Sequence, residues 1–197
     1  MIETERLLLR NWRDTDREPF HRFNADPRVM EFFPAIPTRE QSDALVDRCR
    51  QHFDLHGFTF FAAELRESGD LIGFIGLFHT PFEAHFTPCV EIGWRLAFEH
   101  WNRGLATEGA RAVLRYGFEQ LRLAEIVALT APSNMRSRRV MEKLGMTRDP
   151  ADDFDHPRVP EGHPQRRHVL YRVRRSFTAE TRRGGDRRGE EKTDRSG

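Results

Sequence analysis

One continuous stretch, residues 90–146, restricts the possible folds of this chain more than any other part of the sequence. It begins with Val90–Leu96, whose β-branched and aromatic residues predict a strand. Small and apolar residues then recur at three- and four-residue spacing, which predicts a helix with one apolar face. The residues of that face are Ala106, Ala110, Val113, Leu114, Gly117, Phe118 and Leu121. A short apolar run at 126–129 predicts a buried strand, and a second helix ends at Gly145.

The junction between the first strand and the first helix predicts an anion-binding site. Gly104 allows a positive φ or the close approach of a ligand. The first N–H groups of a helix have no partner inside it, and together with the helix dipole they favour a phosphate. Arg103 adds a positive charge beside them. The same pattern is also typical of an ordinary tight connection, so it identifies no ligand by itself.

An alternative interpretation is a dinucleotide-binding fold. Residues 104–109 nearly match the glycine-rich fingerprint, and Glu125 follows about twenty residues later. In that fold the acidic residue lies at the end of the second strand, whereas Glu125 lies at the beginning of its strand, before Ile126. The chain before Val90 also predicts a hairpin and not further strand–helix units. We therefore disfavour this interpretation.

The whole stretch resembles the GCN5-related N-acetyltransferase (GNAT) superfamily, and within it the branch of ribosomal-protein acetyltransferases of the RimJ/RimL kind. Three motifs carry the resemblance: EIGW at 91–94, WNRGLATE at 101–108, and a third over 134–146 that reads NMRS and then VMEKLGM. The opening ETERLLLR at 3–10 is also similar. The resemblance covers residues 2–173, and its specificity comes from the order and spacing of the motifs.

The resemblance implies an α/β (α+β) GNAT fold: a mixed, mainly antiparallel central sheet flanked by helices, with splayed strands that form the acetyl-CoA cleft. It implies acetyl-CoA as cosubstrate, held by the main chain of the first strand and by the loop after it, and no metal. The residues expected to bind the coenzyme are Trp94, Arg95, Leu96, Trp101, Asn102, Arg103, Gly104, Leu105, Ala106, Thr107, Asn134 and Arg139. Trp101 stands where many members of the superfamily have Gln or Arg, but an aromatic residue is common in this branch.

Ser137 is the first candidate for protonating the departing thiolate, as the resemblance implies. It lies one turn after Asn134, which is expected to bond the pantetheine amide and which, like Ser133, can cap the helix. Many relatives place a tyrosine acid where this chain has Met141, and this favours the serine variant. The alternative is that the Ser137 hydroxyl only satisfies helix backbone.

Glu91 is the best candidate for the general base that takes a proton from the attacking amine. A carboxylate beside Ile92 and Gly93 in a strand is partly desolvated, and desolvation raises its pKa toward working pH. The alternative is that Glu91 lies on a solvated face of the strand.

The loop after Arg148 is rich in proline, aspartate and histidine. Its side chains have neither the HExxH pattern nor the regular helical spacing of a strong metal site. Members of the family place this loop near the acceptor pocket, so Asp155 and His156 are expected to help select the amine.

The rest of the chain predicts further elements of one domain. Strands are expected at 4–12, 58–65, 71–78 and 169–173, with a hairpin at 66–70. Helices are expected at 15–23, at 26–33 as a single further turn, and at 38–56, where Thr38 and Gln41 form a capping box. We expect an acetyltransferase domain over 1–177 and a disordered charged tail over 178–197.

The charge, the N-terminal segment and the cysteine content restrict the partners and the location that can be expected. The 32 basic and 31 acidic residues give a net charge of +1, so no global field attracts nucleic acid or an anionic membrane. The charged N-terminal segment contains no signal-peptide core or membrane span. Two cysteines without CxxC spacing are typical of a cytoplasmic protein.

The preferred function is acetyl transfer from acetyl-CoA to a primary amine. The acceptor is a small molecule or, as in RimJ/RimL-like enzymes, a protein N-terminus, and the protein is expected to be a monomer or a homodimer. The alternative from another class is a non-catalytic regulatory protein that binds acyl-CoA with the same fold.

Overall fold

The computed structural model describes residues 1–175, and within these residues the strands form a single mixed sheet with helices on both faces. The strands are β1 (Ile2–Glu3), β2 (Leu7–Arg10), β3 (Phe60–Leu65), β4 (Leu71–His79), β5 (Val90–Leu96), β6 (Glu125–Thr130), β7 (Thr147–Arg148), β8 (Phe154–Asp155) and β9 (Arg167–Arg174). The helices are α1 (Arg17–Asn24), α2 (Arg39–His56), α3 (Leu105–Glu119) and α4 (Met135–Lys143), with single 3-10 turns at Asp14–Asp16, Phe98–His100 and Pro150–Asp152.

The strand order is β1-β2-β3-β4-β5-β6-β9-β7, and β8 pairs with β9. Among the described strands only β5 and β6 run parallel, and all the other pairs are antiparallel. The mixed, mainly antiparallel sheet expected from the sequence is therefore confirmed.

The two faces of the sheet are covered by different helices because side chains alternate along each strand. Ile75 points toward α3 and α4, whereas its neighbour Phe74 points toward α1 and α2. Each large side chain buried in this way contributes about 1.5–3 kcal/mol to the stability of the fold. The largest fully buried side chains are Leu7, Leu9, Phe20, Phe61, Ile72, Ile75, Leu77, Ile92, Leu105, Ile126, Met141 and Leu170.

Two glycines allow α3 to approach the sheet closely. A Cβ at Gly109 would come within 2.4 Å of Ile75 Cδ1, and one at Gly117 within 2.7 Å of Ile126 Cδ1. Gly109 is therefore a packing residue and does not approach a ligand, which removes the basis of the dinucleotide interpretation. The close packing fixes the beginning of α3 beside the end of β5.

Helix α2 confirms the predicted capping box. The Thr38 hydroxyl accepts a hydrogen bond from the Gln41 N–H, and the Gln41 side chain accepts one from the Thr38 N–H. The single helical turn expected at 26–33 is present only in the first half of the segment, and no helix continues to Phe33. The Asp26 carbonyl accepts from both Val29 and Met30, and the chain then turns again at Phe33. This connection brings Phe33 to the substrate cleft.

The predicted strands are correct in position, and their bounds differ by a few residues. The strand expected at 4–12 is shorter, Leu7–Arg10, because Thr4 makes a turn in which its hydroxyl accepts a bond from the Leu7 N–H at 2.9 Å. A separate two-residue strand, Ile2–Glu3, precedes this turn. The last strand is longer than expected, Arg167–Arg174. None of the described helices is long and apolar enough to cross a membrane. The tail expected at 178–197 lies outside the described residues, and the domain boundary stays a prediction.

Candidate active site

A wedge-shaped gap opens between β5 and β6, the parallel pair of strands. In the described chain their only paired positions are Glu91 and Val127, and β5 continues to Leu96 without pairing with β6. The gap enters a cavity of about 830 Å³. Glu91 therefore lies at the vertex from which the two strands diverge.

The main chain of β5 faces this gap at alternate residues. Ala97 donates its N–H to the Ile72 carbonyl at 2.8 Å, on the β4 side of the strand. Because main-chain groups alternate in direction along an antiparallel pair, Arg95 also faces β4, whereas Trp94 and Leu96 face the gap. This corrects the expectation that the Arg95 main chain holds the coenzyme. The Leu96 carbonyl accepts a bond from the Trp101 indole at 2.7 Å.

The beginning of α3 lies at the end of the gap. Gly104 is the N-cap residue with a φ of 79°, so it takes the left-handed conformation that the sequence favours there. The first helical bond runs from the Glu108 N–H to the Gly104 carbonyl, and the preceding N–H groups are left for a ligand. The cavity is lined at this end by Trp101, Asn102, Gly104, Leu105, Ala106 and Thr107. Arg103 is exposed and is not among the residues that line the cavity.

The turn between β1 and β2 holds this loop in place. Glu108 accepts hydrogen bonds from the Thr4 hydroxyl at 2.6 Å and from Arg6 Nε at 2.7 Å, and Arg6 Nη1 donates to the Arg103 carbonyl at 3.0 Å. Burial alone would raise the pKa of Glu108, but the bonds from Thr4 and Arg6 outweigh burial and lower it. The sequence analysis did not assign this role to Arg6 or Glu108.

Helix α4 forms the opposite wall of the gap. Asn134 is its N-cap, as predicted: its side chain accepts from the Ser137 N–H at 3.1 Å and donates to Thr130 Oγ1 at 3.0 Å. The Ser137 hydroxyl lines the cavity and has no hydrogen-bond partner among the described residues. It therefore does not bond helix backbone, which was the alternative role considered for it.

The basic residues of α4 divide into two groups. Arg138 donates to the Pro132 carbonyl and to the Tyr171 hydroxyl, so it is a structural residue. Arg136, Arg139 and Lys143 line the cavity, the last two near the beginning of α3, and Arg136 forms an ion pair with Glu31. Neither Tyr171 nor Tyr116 is among the residues that line the cavity, so neither tyrosine is placed to protonate the thiolate in place of Ser137.

The carboxyl group of Glu91 faces the cavity beside the sheet's aromatic surface. Glu91 pairs directly with Phe78 on β4, so the two side chains share one face of the sheet. Burial raises the pKa of Glu91 to about 8, and among the described residues no hydrogen bond or ion pair to the carboxylate offsets it. A half-buried carboxyl with this pKa can exchange a proton near neutral pH. The solvated-face alternative for Glu91 does not agree with this geometry.

The remaining half of the cavity lies on the α1–α2 side of the sheet and has aromatic walls. They are formed by Phe32, Phe33, Phe60, Phe74, Phe78 and Phe82. Gly93 leaves room for the Phe60 ring, because a Cβ there would come within 2.9 Å of it. The Arg95 side chain also belongs to this half, and it donates to Asn24 Oδ1 at 3.0 Å.

This arrangement fits an extended coenzyme with an anionic end. It offers free strand main chain in the gap, unpaired helix N–H groups, and basic side chains at the same end. Residues 6–147 match the family model described as "Acetyltransferase (GNAT) domain". The chain belongs to the GNAT family of acetyltransferases.

Individual GNAT proteins resemble the chain over most of its length. The uncharacterized N-acetyltransferase YnaD of Bacillus subtilis (strain 168) is 35% identical over 149 residues, which span 75% of this chain and 83% of YnaD. The crystal structure of a GNAT-family acetyltransferase from Bacillus anthracis matches with a TM-score of 0.72 at 32% identity, covering 88% of this chain and 97% of that one. Spermidine N-acetyltransferase from Vibrio cholerae, in complex with CoA and spermine, shares the fold: its TM-score is 0.66 at 19% identity, over 85% and 95% of the two chains.

Of the two residues expected to select the acceptor, only His156 lines the GNAT cavity. Asp155 is exposed and lies near Arg166 and Arg167, so the expectation for Asp155 does not agree with the structure. The reason is strand alternation in β8, which points Phe154 inward and Asp155 outward. Burial, followed by the nearby His168 and Arg158, lowers the pKa of His156 to about 4. His156 is therefore neutral at pH 7.

Another histidine cluster lies at the junction of α2 and β4. One ring nitrogen from each of His52, His56 and His79 lies within 4.8 Å of the others, a spacing that can hold a cation. His52 Nδ1 lies 2.7 Å from the Phe58 carbonyl, and its Nε2 accepts a bond from the His79 N–H at 3.1 Å. The central histidine is thus already satisfied within the protein. We assign the cluster no role in catalysis.

Proposed function

We propose that this GNAT protein transfers the acetyl group of acetyl-CoA to a primary amine, with Glu91 as general base and Ser137 as general acid. The position of Glu91 carries the proposal. It lies at the vertex of the β5–β6 gap, where the two halves of the cavity meet. The coenzyme half is the gap itself with the beginnings of α3 and α4, and the acceptor half is the part with aromatic walls on the α1–α2 side of the sheet. A base at this point can reach an amine that approaches from one half while the thioester enters from the other.

The coenzyme half would hold the cosubstrate through main-chain groups. The Trp94 and Leu96 main chain faces the gap and is suited to the amides of the pantetheine arm. The loop at 101–104 and the first turn of α3 are suited to the pyrophosphate, with Arg139 and Lys143 nearby. An N–H group of β5 can polarise the thioester carbonyl and stabilise negative charge on its oxygen.

Two side chains would then move protons. Only a neutral amine can attack, and most amines arrive as ammonium ions at pH 7. The Glu91 carboxylate accepts the surplus proton, directly or through a water molecule. The Ser137 hydroxyl is free of partners among the described residues. As the carbon–sulfur bond breaks, it would donate a proton to the departing sulfur and take one back from a water molecule, so that coenzyme A leaves as the thiol and the serine regains its hydroxyl.

The family relationship leaves a range of primary amines as acceptors. Enzymes of the RimJ/RimL kind act on protein N-terminal amines, and the related Vibrio cholerae enzyme is named for spermidine. His156 lines the cavity on the acceptor side and is the residue of the 150–168 loop that we propose contacts the amine. The sequence-based expectations of a cytoplasmic location and of a monomer or homodimer belong to this proposal.

The direct test is the release of free coenzyme A thiol from acetyl-CoA when an amine is added. Wild-type protein is expected to release thiol with at least one member of a panel of peptides, polyamines, aminoglycosides and amino acids. The Glu91→Gln protein, matched in shape, is the control that separates enzymatic transfer from spontaneous acetylation. Tight acetyl-CoA binding without thiol release on any amine would instead support a non-catalytic acyl-CoA-binding protein.

A further inference from the structure

The acceptor half of the cavity contains an arginine that no acid neutralises. Arg95 lies four residues after Glu91 on β5, and because side chains alternate along a strand, the two share one face of the sheet. Its Nη1 donates to Asn24, its Nε is buried without a hydrogen-bond partner, and no ion pair to it occurs among the described residues. A guanidinium has five donors, and a buried charge without a counter-charge lowers stability.

Aromatic rings hold the guanidinium in place but do not neutralise it. Its central carbon lies 4.1 Å from the centre of the Phe33 ring and 5.3 Å from the centre of the Phe74 ring. Burial lowers the pKa of Arg95 to about 10, so it remains charged at neutral pH. The side chain is therefore a fixed cation with free donors on the wall of an apolar cavity.

Basic side chains outnumber acids along the cavity. Among the described residues that line it, Glu91 is the only acid, whereas six are basic, and one of these, Arg136, is ion-paired with Glu31. The six are Arg48, Arg95, Arg136, Arg139, Lys143 and Arg158. Coenzyme phosphates would lie near the cations of the α3–α4 end. Arg95 lies in the opposite half of the cavity, so the coenzyme phosphates would not neutralise its positive charge. A polyamine offers further ammonium groups to this half, and Arg95 would repel them.

We propose that the acceptor is a small aminocarboxylate with an apolar body, whose carboxylate pairs with Arg95 while its amine lies at Glu91. This inference rests on the proposed function and names its substrate class. The Cα atoms of Glu91 and Arg95 are about 13 Å apart at about 3.3 Å per strand residue, and both side chains extend from the same face of the strand, so one acceptor can lie between them. Arg95 is thus a specificity-determining residue, because a planar guanidinium binds a carboxylate in a bidentate manner.

The test compares amines that differ only in a carboxylate. Thiol release from acetyl-CoA is measured with phenylalanine against phenethylamine, and with 5-aminopentanoate against butylamine. For the wild-type protein, kcat/KM is expected to favour the acid of at least one pair by on the order of 10²-fold. In R95Q this preference should disappear, because kcat/KM for the acid falls to that of the decarboxylated amine, and R95K should recover part of it. Equal or better use of the decarboxylated amines by wild type overturns the proposal.

Two further measurements separate selectivity from folding and from turnover. R95Q removes an unpaired charge but also the hydrogen bond to the buried Asn24 Oδ1, so its Tm is expected to lie near or below that of wild type. A lower Tm with unchanged selectivity would make Arg95 structural and overturn the proposal. If no amine gives turnover, the proposal is tested by binding alone. The aminocarboxylates are titrated calorimetrically into protein saturated with coenzyme A. Binding that R95Q abolishes and that R50Q, on the far side of α2, retains supports the proposal, and its absence contradicts it.

Discussion

The two halves of the cavity are built in different ways. The coenzyme half uses main-chain groups and short contiguous segments: one edge of β5, the loop at 101–104 and the first turns of α3 and α4. The acceptor half is lined by side chains that come from loops and strands far apart in the chain, among them Phe33, Phe60, Phe82 and Arg95. On the proposed function, the coenzyme that is common to the family would contact mainly backbone, whereas the acceptor that distinguishes one member would contact side chains.

This difference indicates how substitutions should behave. A binding site built from main-chain groups is disturbed only by substitutions that change the backbone conformation or that place a charge in the site. A side-chain site changes its preference with single substitutions and leaves the fold intact. The following predictions test this contrast, beginning with the largest expected effect.

Gly104→Glu should weaken acetyl-CoA binding by on the order of 10³-fold. A negative charge within a few ångströms of the phosphates costs about 4 kcal/mol at an effective dielectric constant of about 20. A Cβ at Gly104 would lie 3.6 Å from an Arg6 terminal nitrogen, so the new carboxylate would also compete for the cation that holds the loop. Isothermal calorimetry on folded protein measures the loss.

Gly104→Gln is the matched control for this substitution. It imposes the same strain at a φ of 79° without the charge, and only about a tenfold loss is expected. Gly69→Glu, in the β3–β4 turn where φ is also positive, should leave coenzyme affinity unchanged. Equal affinities for Gly104→Glu and wild type would remove the phosphate assignment.

Glu91→Gln should lower kcat/KM by on the order of 10²-fold near neutral pH, with little change in coenzyme affinity. The wild-type value should rise with pH through about 8, because the Glu91 carboxyl loses its proton there. Above that pH the wild type levels off, while the variant continues to gain as free amine accumulates, so the deficit shrinks. A deficit that stays uniform at all pH values would give Glu91 a positional role.

The same pKa shift offers a check that is independent of turnover. The ordinary pKa of a glutamate is about 4.5, and that of folded Glu91 is about 8. Between these values the folded protein retains a proton that the unfolded chain has released, so the free energy of unfolding falls as pH rises. Denaturant titrations should show this decline in wild type and a weaker one in Glu91→Gln.

Ser137→Ala should lower kcat about tenfold under conditions where chemistry limits the rate, with coenzyme affinity retained. The loss is smaller than the usual range for a general acid, because a thiolate with a pKa of about 8.5 leaves partly without a proton. Single-turnover kinetics measures the step. Ser133→Ala, on the exposed approach to α4, is the control, and a wild-type rate in Ser137→Ala would transfer the role to water.

Glu108→Gln should have the smallest effect, a few-fold rise in the acetyl-CoA dissociation constant. The substitution keeps the shape of the side chain but weakens the charged link to Arg6, and with it the bond from Arg6 to the Arg103 carbonyl. Calorimetry and thermal unfolding together test this role. An unchanged dissociation constant together with a lowered Tm would limit Glu108 to stability.

The same contrast explains how much could be predicted from the sequence. The coenzyme half was predictable because its signals are local: a strand pattern, a glycine at a helix start, and Asn134 as a cap. The desolvation of Glu91 was predictable because its neighbours in the strand are apolar, whereas its role as a base stays a prediction. The splay of β5 from β6 came only from the family resemblance, since pairing between distant strands has no local signal.

Most of the residues that line the acceptor half could not be predicted from the sequence. Phe33 reaches the cavity because 26–33 turns twice, and the sequence predicted only a single helical turn there. The outward position of Asp155 depends on a two-residue strand whose pairing no local pattern shows. One signal was available and went unused: the two-residue period of β5 places Arg95 on the face of Glu91. The link from Arg6 to Glu108 joins residues 102 positions apart, and no local pattern predicts it.

The single paired position between β5 and β6 has a consequence for the stability of the protein. Beyond Glu91, β5 has a free strand edge, which in other proteins invites pairing with foreign chains and aggregation. An extended arm with two amides can occupy that edge as an added strand would. Acetyl-CoA would then be a structural part of the sheet as well as a reactant, and occupancy would stabilise the protein in proportion to RT ln(1 + [L]/Kd). On the proposed function, saturating acetyl-CoA would therefore raise the Tm of the protein.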